Sequence, residues 1–362
     1  MLFQFDATLA NIDPTSHAQI RALENLLGAF QSGNHFLFCR MKELRTLIAK
    51  VTGHVSSPSL AMLQTMLNRS VEDWEFAKNL EYKVIVFIDD EKSAIYREKN
   101  LWNVSLHYLA HSGLLQSAIL GENELDAELF LIFADFYRRK HGIRSFGVKA
   151  RLKSGGGSGL PTAIERYLEC EASPCLSISD SDRFHPAGEL SSTVKKCGKI
   201  VRERAAVIEY VFLEEREVEN LIPLAVLDRV VELDRFLGAF DCLFSDCPEL
   251  WPYVDLKTGP TLKWMRAQDS RTQEFWARAK VRLEKKRQGC PSCDHATIDV
   301  AETCSCSAIP GFGPGLLEKC IAYLRDNPPR LVLQLLNNDT RWERIGKIAF
   351  NFAVIPFGER AA

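Results

Sequence analysis

Apolar residues recur at helical spacing over Ala18–Phe30 and again over Phe36–Lys50, the period of one buried helix face. Ser57-Pro58 interrupts the pattern, and Ser59–Leu80 resumes it as a further amphipathic helix. Lys83–Ile88 (KVIVFI) is short, apolar and rich in β-branched residues, so it reads as a buried strand. Asp89, Asp90 and Glu91 follow that strand; they read as caps of a next helix rather than as metal ligands. Residues 1–112 are therefore expected to form a mostly helical region with one strand, serving as scaffold.

Residues 113–225 alternate between strand and helix signals. Leu115–Leu120 reads as a strand, Glu124–Lys140 as a strongly amphipathic helix, and Ile143–Lys149 as a second strand ending near Gly155-Gly156-Gly157. Pro161–Cys170 opens on proline, which suits a first helical turn. Cys175–Ser179 (CLSIS) is a third strand, Gly188–Arg204 a helix and Ala206–Leu213 (AVIEYVFL) a fourth strand. This order predicts an α/β unit with a mainly parallel sheet, and right-handed crossovers place helices on its faces. Residues 226–362 return to helix, over Ala225–Phe240, Leu262–Lys286, Gly315–Arg325, Leu331–Leu336 and Trp342–Phe352, with a Cys-rich loop at 289–307.

Length adds a bound. The 362 residues suit two or three domains at roughly 100–200 residues each, enough to bury a substantial core without staples. The formal net charge of -2 neither demands nor excludes nucleic acid, which would need a local basic face. Lys280–Arg287 (KVRLEKKR) is the densest candidate, against the plainer reading of a solvated helix face. No stretch approaches the roughly 20 apolar residues of a membrane span, and the first residues lack the basic start of a secretory signal. A cytoplasmic protein is expected, with its eleven cysteines reduced or bound to metal rather than paired.

Acidic residues cluster at the expected carboxyl ends of the strands, where open α/β sheets collect their ligands. Glu122 follows the first strand, Asp180 and Asp182 the third, and Glu215, Glu217 and Glu219 the fourth. Carboxylates packed together need cations or protons, and hard oxygen donors suit Mg²⁺ or Mn²⁺. In an extended Asp180-Ser181-Asp182 the two carboxylates would point the same way and reach one cation or bridge two. Taken singly, these acids can equally cap helices.

Gly121-Glu122-Asn123-Glu124-Leu125-Asp126, the Gly155–Gly157 turn, Asp180-Ser181-Asp182 and Arg216-Glu217-Val218-Glu219-Asn220 together resemble the Toprim family, and the last segment resembles Toprim nucleases of the overcoming-lysogenization-defect kind. The family's glycine after the first Glu is Asn123 here, a residue that also tolerates positive φ. The resemblance covers residues 115–225. It implies a Toprim-like sheet with flanking helices, and a two-metal phosphodiesterase that cuts or nicks nucleic acid, DNA ahead of RNA. By the same resemblance, Glu122 is a metal ligand and acid/base, Asp180 and Asp182 are ligands, Glu217 or Glu219 is a further ligand, and Asp126 assists a second metal. A lysine that stabilises developing phosphate charge is expected downstream, Lys257 before Lys263. The chain has no Walker A ending. The family's habit of pairing with an ATPase implies a separate ATPase partner, in antiviral defence against phage; self-association stays open. The competing reading is a catalytically silent Toprim-like interaction subunit.

Cys290, Cys293, Cys304 and Cys306, with His295 nearby, could enclose one structural Zn²⁺ in two close pairs, or be four reduced thiols. Cys242 and Cys247 read as packing residues, and His185 as a loop histidine. No tyrosine or cysteine stands in a context that marks a nucleophile.

Overall fold

The computed structural model describes residues 1–89, 95–110, 114–171, 173–231, 247–277, 311–337 and 339–356. Its fold is α/β, with mainly parallel sheets flanked by helices. The strands are β1 (Leu2–Phe5), β2 (Phe36–Phe38), β3 (Lys83–Phe87), β4 (Ile95–Glu98), β5 (Leu101–Ser105), β6 (Ala118–Gly121), β7 (Phe146–Val148), β8 (Arg151–Ser154), β9 (Cys175–Ser179), β10 (Ile208–Phe212) and β11 (Val354–Pro356). No helix among the described residues is long and apolar enough to cross a membrane.

The chain forms two compact units. The first contains Met1–Ile178, Lys196–Val211 and Glu343–Ala362; the second contains Ser179–Lys195 and Phe212–Trp342.

In the first unit, β2-β1-β3-β5-β4 make a five-stranded sheet, parallel except for β4 against β5. The single strand expected in this part of the chain is thus one of five. Phe36–Phe38 was absorbed into a helical pattern that in fact begins at Met41; a three-residue apolar run carries no period of its own. The next described element after Asp89 is β4, and Asp90 and Glu91 lie outside the described residues.

A second sheet has the order β10-β9-β6-β8. β6 pairs in parallel with both β8 and β9. Cys175 N–H donates to Val207 O, and Leu213 N–H to Ser179 O, so β10 advances in the same direction as β9. Ala118, Leu120, Ile164, Cys175, Cys197 and Ile208 bury a common core beside this sheet. The helix Glu124–Lys140 starts and ends as its sequence pattern predicts. The second strand does not. Phe146–Val148 pairs antiparallel with β11, and the sheet strand is Arg151–Ser154. That strand (RLKS) sits at the end of the strand order and is largely polar, so hydrophobic patterning passes over it.

The second unit is built of helices and turns, including Leu224–Val230, Leu262–Ala267, Leu316–Asp326 and Pro329–Leu336. The long helical pattern from Leu262 breaks at Gln268 and Asp269. Asp269 there accepts hydrogen bonds from the Arg271 and Thr272 N–H groups and from the Thr272 hydroxyl, so it starts a new helical segment.

Candidate functional site

The motif residues fall at two stations, one in each unit. In the first unit, Glu122 follows β6 directly. The glycine turn fixes its backbone. Gly155 N–H donates to Gly121 O at 2.8 Å, and Gly157 N–H donates to Glu122 O at 2.9 Å. Gly156 and Gly157 hold φ of 70° and 62°, conformations that side chains with a Cβ seldom accept. A Cβ on Gly121 would stand 2.7 Å from Asn123 O and 2.8 Å from Ala127 N, so the chain passes too close to itself there for any other residue. The glycine demand therefore falls before Glu122, not after it. Asn123 has an ordinary extended φ of -123° and forms a capping box with Asp126. Asp126 is buried, and its Oδ2 accepts from Asn123 N–H at 2.8 Å. The structure thus gives Asp126 the work of a helix cap, where the resemblance gave it a second metal. The Glu122 side chain is partly exposed.

The second unit gathers the other acids from three segments. Asp180-Ser181-Asp182 is not extended throughout. Asp182 turns left-handed at φ 57° and is exposed, whereas Ser181 is buried. Alternation therefore does not align the two carboxylates, and the expected extended geometry fails at Asp182. Ser181 and Asp182 N–H both donate to Arg216 O at 3.1 Å, and Ser181 Oγ donates to Glu215 O at 2.6 Å. Arg216 N–H continues to Pro252 O at 2.7 Å. Asn220 completes the stitching: fully buried, it accepts from Glu217 N–H and donates to Trp251 O and Val254 O. The turn Glu217–Leu221 carries a capping box between Glu217 and Asn220.

This scaffold buries three carboxylates, those of Glu215, Glu217 and Glu219. Glu219 has no exposed surface. Lys257 Nζ stands 3.0 Å from its Oε1, and among the described residues its Oε2 has no hydrogen-bond partner. Burial alone would lower the Lys257 pKa, but contact with Glu219, then the charges of Glu217 and Asp180, hold it above the ordinary lysine value. The Glu217 pKa is raised too, for a different reason. Burial first, and the negative Asp255 and Glu219 after it, raise its pKa against the pull of Arg216 and Lys257. Arg216 Nε donates to Glu217 Oε1 at 3.0 Å, while Glu217 Oε2 has no hydrogen-bond partner among the described residues. Buried carboxylate oxygens without donors are the groups a hard cation satisfies. In that chemical sense the residues fit Mg²⁺ or Mn²⁺. The geometry stops short of it: among the described residues, no three His, Cys, Asp or Glu side chains group as cation ligands, and Lys257 supplies the positive charge at Glu219.

Lys263 is exposed, so of the two downstream lysines it is Lys257 that the structure brings to the acids. Cys290, Cys293, Cys304, Cys306 and His295 lie outside the described residues, as do Lys280–Arg287 and Cys242. Cys247 is buried, and so is His185, which the sequence reading placed on a surface loop. Burial pushes the thiols of Cys39 and Cys320 up to about 12 and that of Cys197 up to about 11, so none is a ready nucleophile.

Sequence reasoning gave no role to Asn220, Arg216 or Asp255, which organise the second station; the Glu217-x-x-Asn220 capping spacing was the available signal. It also missed a basic cavity in the first unit, of about 610 Å³, lined by Arg97, Lys99, Arg202 and Arg204 beside Trp102. These residues come as two short pairs, Arg97 with Lys99 and Arg202 with Arg204, each interrupted by a glutamate and about a hundred positions apart. No protein-family model, no curated protein and no solved structure matches this chain.

Proposed function

We propose that the chain is a Toprim-like, Mg²⁺- or Mn²⁺-dependent nuclease that hydrolyses nucleic-acid phosphodiesters, DNA ahead of RNA. The observation that carries this reading is Glu219, a wholly buried carboxylate whose Oε1 lies 3.0 Å from the Lys257 ammonium and whose Oε2 has no hydrogen-bond partner among the described residues, with Glu217 in the same cluster. Burying such a group costs several kcal/mol unless a positive charge meets it. Lys257 meets it here, and a bound cation would take over that role. Asp180, Glu217 and Glu219 would hold the cations; Asp182, exposed at its turn, is a less prepared ligand. Glu122 enters through the resemblance, as a ligand and as the group that moves a proton. When bound, the cations would neutralise phosphate charge and make an attacking water more acidic. Lys257, released from Glu219 by such a charge, would be free to hold a phosphate oxygen.

The same reading places the protein in the cytoplasm, as a phage-defence effector working with a separate ATPase. The sequence resemblance supports that part. The cavity lined by Lys99, Arg202 and Arg204, in which Arg97 is paired with Glu209 and Glu203 is a further wall residue, offers a partly basic footprint for a phosphate backbone.

One observation favours the second reading, a silent interaction subunit. Lys257 already neutralises Glu219, which is how a metal site that has lost its ion can stay folded. Supercoiled plasmid incubated with the protein and Mn²⁺, with and without the partner ATPase, decides between them. Nicking or cutting that is lost in Glu122→Ala, Asp180→Ala and Glu219→Gln supports the nuclease. Cleavage that persists in all three sinks the site assignment, and no cleavage together with no Mn²⁺ binding supports the silent subunit.

A further inference from the structure

The second unit contains a cavity that the acidic cluster does not use. It has a volume of about 280 Å³, close to the lower end of small-molecule sites at roughly 300–1,000 Å³. Phe184, Tyr253, Trp264 and Trp276 line it, with Arg216 and Asp255 as its charged members.

The aromatic walls are braced against one another. Phe184 and Trp264 meet edge-on at 4.9 Å, and Trp264 meets Trp276 edge-on at 5.7 Å. Trp276 Nε1 donates to Phe184 O at 2.9 Å, which uses the polar atom of a fully buried indole. The Arg216 guanidinium lies 4.4 Å from the centre of the Phe184 ring. Rigid aromatic faces around a slot of this size suit a flat, aromatic guest.

The charged members say which flat guest. Arg216 Nε is taken by Glu217, but Nη1 is buried and has no hydrogen-bond partner among the described residues. It therefore calls for an acceptor. Asp255 Oδ1 is occupied by the N–H groups of Lys257 and Thr258. Its Oδ2 lies 3.8 Å from Arg216 Nη2, an ion-pair distance rather than a hydrogen bond, and the Thr258 hydroxyl is a further partner of the carboxylate; its remaining lone pairs can still accept. The cavity thus sets the Arg216 guanidinium beside an acceptor-only carboxylate. Guanine carries the complementary edge, with the O6 acceptor next to the N1–H and N2–H donors. Adenine and cytosine offer a carboxylate one amino group in that position, and uracil a single N–H.

We propose that this cavity binds a guanine base, stacked among Phe184, Tyr253 and Trp264, with O6 on Arg216 and the N1–H/N2–H edge on Asp255. The proposal rests on the cavity and not on the phosphodiester reading, since it is scored by binding alone. A guanine base could come from a free nucleotide or from a nucleic-acid strand, and both present this edge.

The test uses the full chain and its tryptophan emission, titrated with GMP, AMP, CMP and UMP. GMP is expected to quench the emission and to bind about tenfold more tightly than the others. Trp264→Ala should abolish the GMP response. Asp255→Asn keeps an oxygen for the Thr258 turn but puts an amide donor where guanine needs an acceptor. It should weaken GMP about tenfold and let XMP, whose O2 accepts, bind in its place. This exchange of preference is something a merely loosened fold would not produce. Short single strands with one guanine, or with adenine in its place, identify the source. A strand that binds more tightly than GMP points to nucleic acid, and equal or weaker binding points to a free nucleotide. The proposal is overturned by folded protein that binds neither GMP nor the guanine strand, by equal affinity for all four nucleotides, or by an Asp255→Asn variant whose preference does not move.

Discussion

At Glu122 the main chain is pinned and the side chain is left partly open. At Glu219 the side chain itself is buried and the main chain follows from caps around it. The first station uses glycines and backbone hydrogen bonds, with Gly155 and Gly157 donating to the carbonyls of Gly121 and Glu122. The second uses side chains, with Asn220 joining the Glu217 turn to Trp251 and Val254, and Lys257 against Glu219. Geometry at the first station is therefore cheap to keep and indifferent to charge. At the second, geometry and charge cannot be separated, and its stability should respond to pH and to cations where the first does not.

Removing the organiser of the second station should do the most damage. Asn220→Ala leaves one buried donor, Glu217 N–H, and two buried acceptors, Trp251 O and Val254 O, without the partner they now have. At about 1–3 kcal/mol per orphaned group, part of it recovered by relaxation, a loss of about 3 kcal/mol is expected. A urea midpoint that falls with an unchanged slope would confirm it. Little or no shift would mean that the three segments are held by their backbone bonds alone.

Gly121→Ala strikes the first station. The added Cβ meets backbone atoms of Asn123 and Ala127 below 3 Å, and backbone cannot rotate away as a side chain can. A loss of about 2 kcal/mol is expected, set by the steric clash with Asn123 O, Ala127 N and Asp126 Cβ and so nearly the same at any pH between 5 and 8. A loss that varied steeply over this range would contradict the division between the two stations.

How much of each station was legible follows from the same difference. Strand ends and caps are local, so the positions of Glu122, Asp180 and the Glu217 turn could be read from alternation and spacing. The two helices Glu124–Lys140 and Ser57–Asn79 were likewise readable from their apolar faces. Close approach is not local. That Gly121 admits no Cβ depends on Asn123 and Ala127 folding back over it. That Asp182 turns left-handed depends on Arg216 O receiving two N–H groups, which the Asp-Ser-Asp triplet does not reveal. Burial of Glu219 is the hardest to foresee. A glutamate followed by asparagine looks like surface, and its partner Lys257 is 38 positions further along the chain. The edge strand Arg151–Ser154 and the three-residue β2 were missed because neither carries enough apolar residues to establish a period.

Lys257→Met tests the ion pair on which the second station turns. A fully buried pair broken from one side costs roughly 3–5 kcal/mol. The Lys257 side chain is 37% exposed, so solvent screens part of this and about 1–2 kcal/mol is expected. Glu219→Gln added to Lys257→Met should recover most of the loss, because it removes the stranded charge. Mg²⁺ or Mn²⁺ should also stabilise Lys257→Met more than the parent, if cations compete with the ammonium for Glu219. No stabilisation by either ion at millimolar concentration would tell against cations at this station.

The smallest effect is a slope rather than a loss. Glu217 has its pKa raised in the folded protein, chiefly by burial. Between the ordinary glutamate value of 4.5 and that raised value, the folded state binds more protons than the unfolded state. Stability must then fall as pH rises through this window, since the unfolded chain ionises freely and the folded one does not. Below the window both states are protonated, above it both are ionised, and the slope vanishes. Glu217→Gln removes the titration and should flatten this part of the curve, leaving the protein slightly more stable at neutral pH than the parent. A divalent cation held by Glu217 would act in the same direction, displacing the proton and flattening the parent's curve while leaving Glu217→Gln unaffected. Urea midpoints at half-unit steps from pH 4 to 8, with and without Mg²⁺, give all four curves. An unchanged slope in Glu217→Gln would assign the titration to another group and remove the strained carboxylate from the comparison.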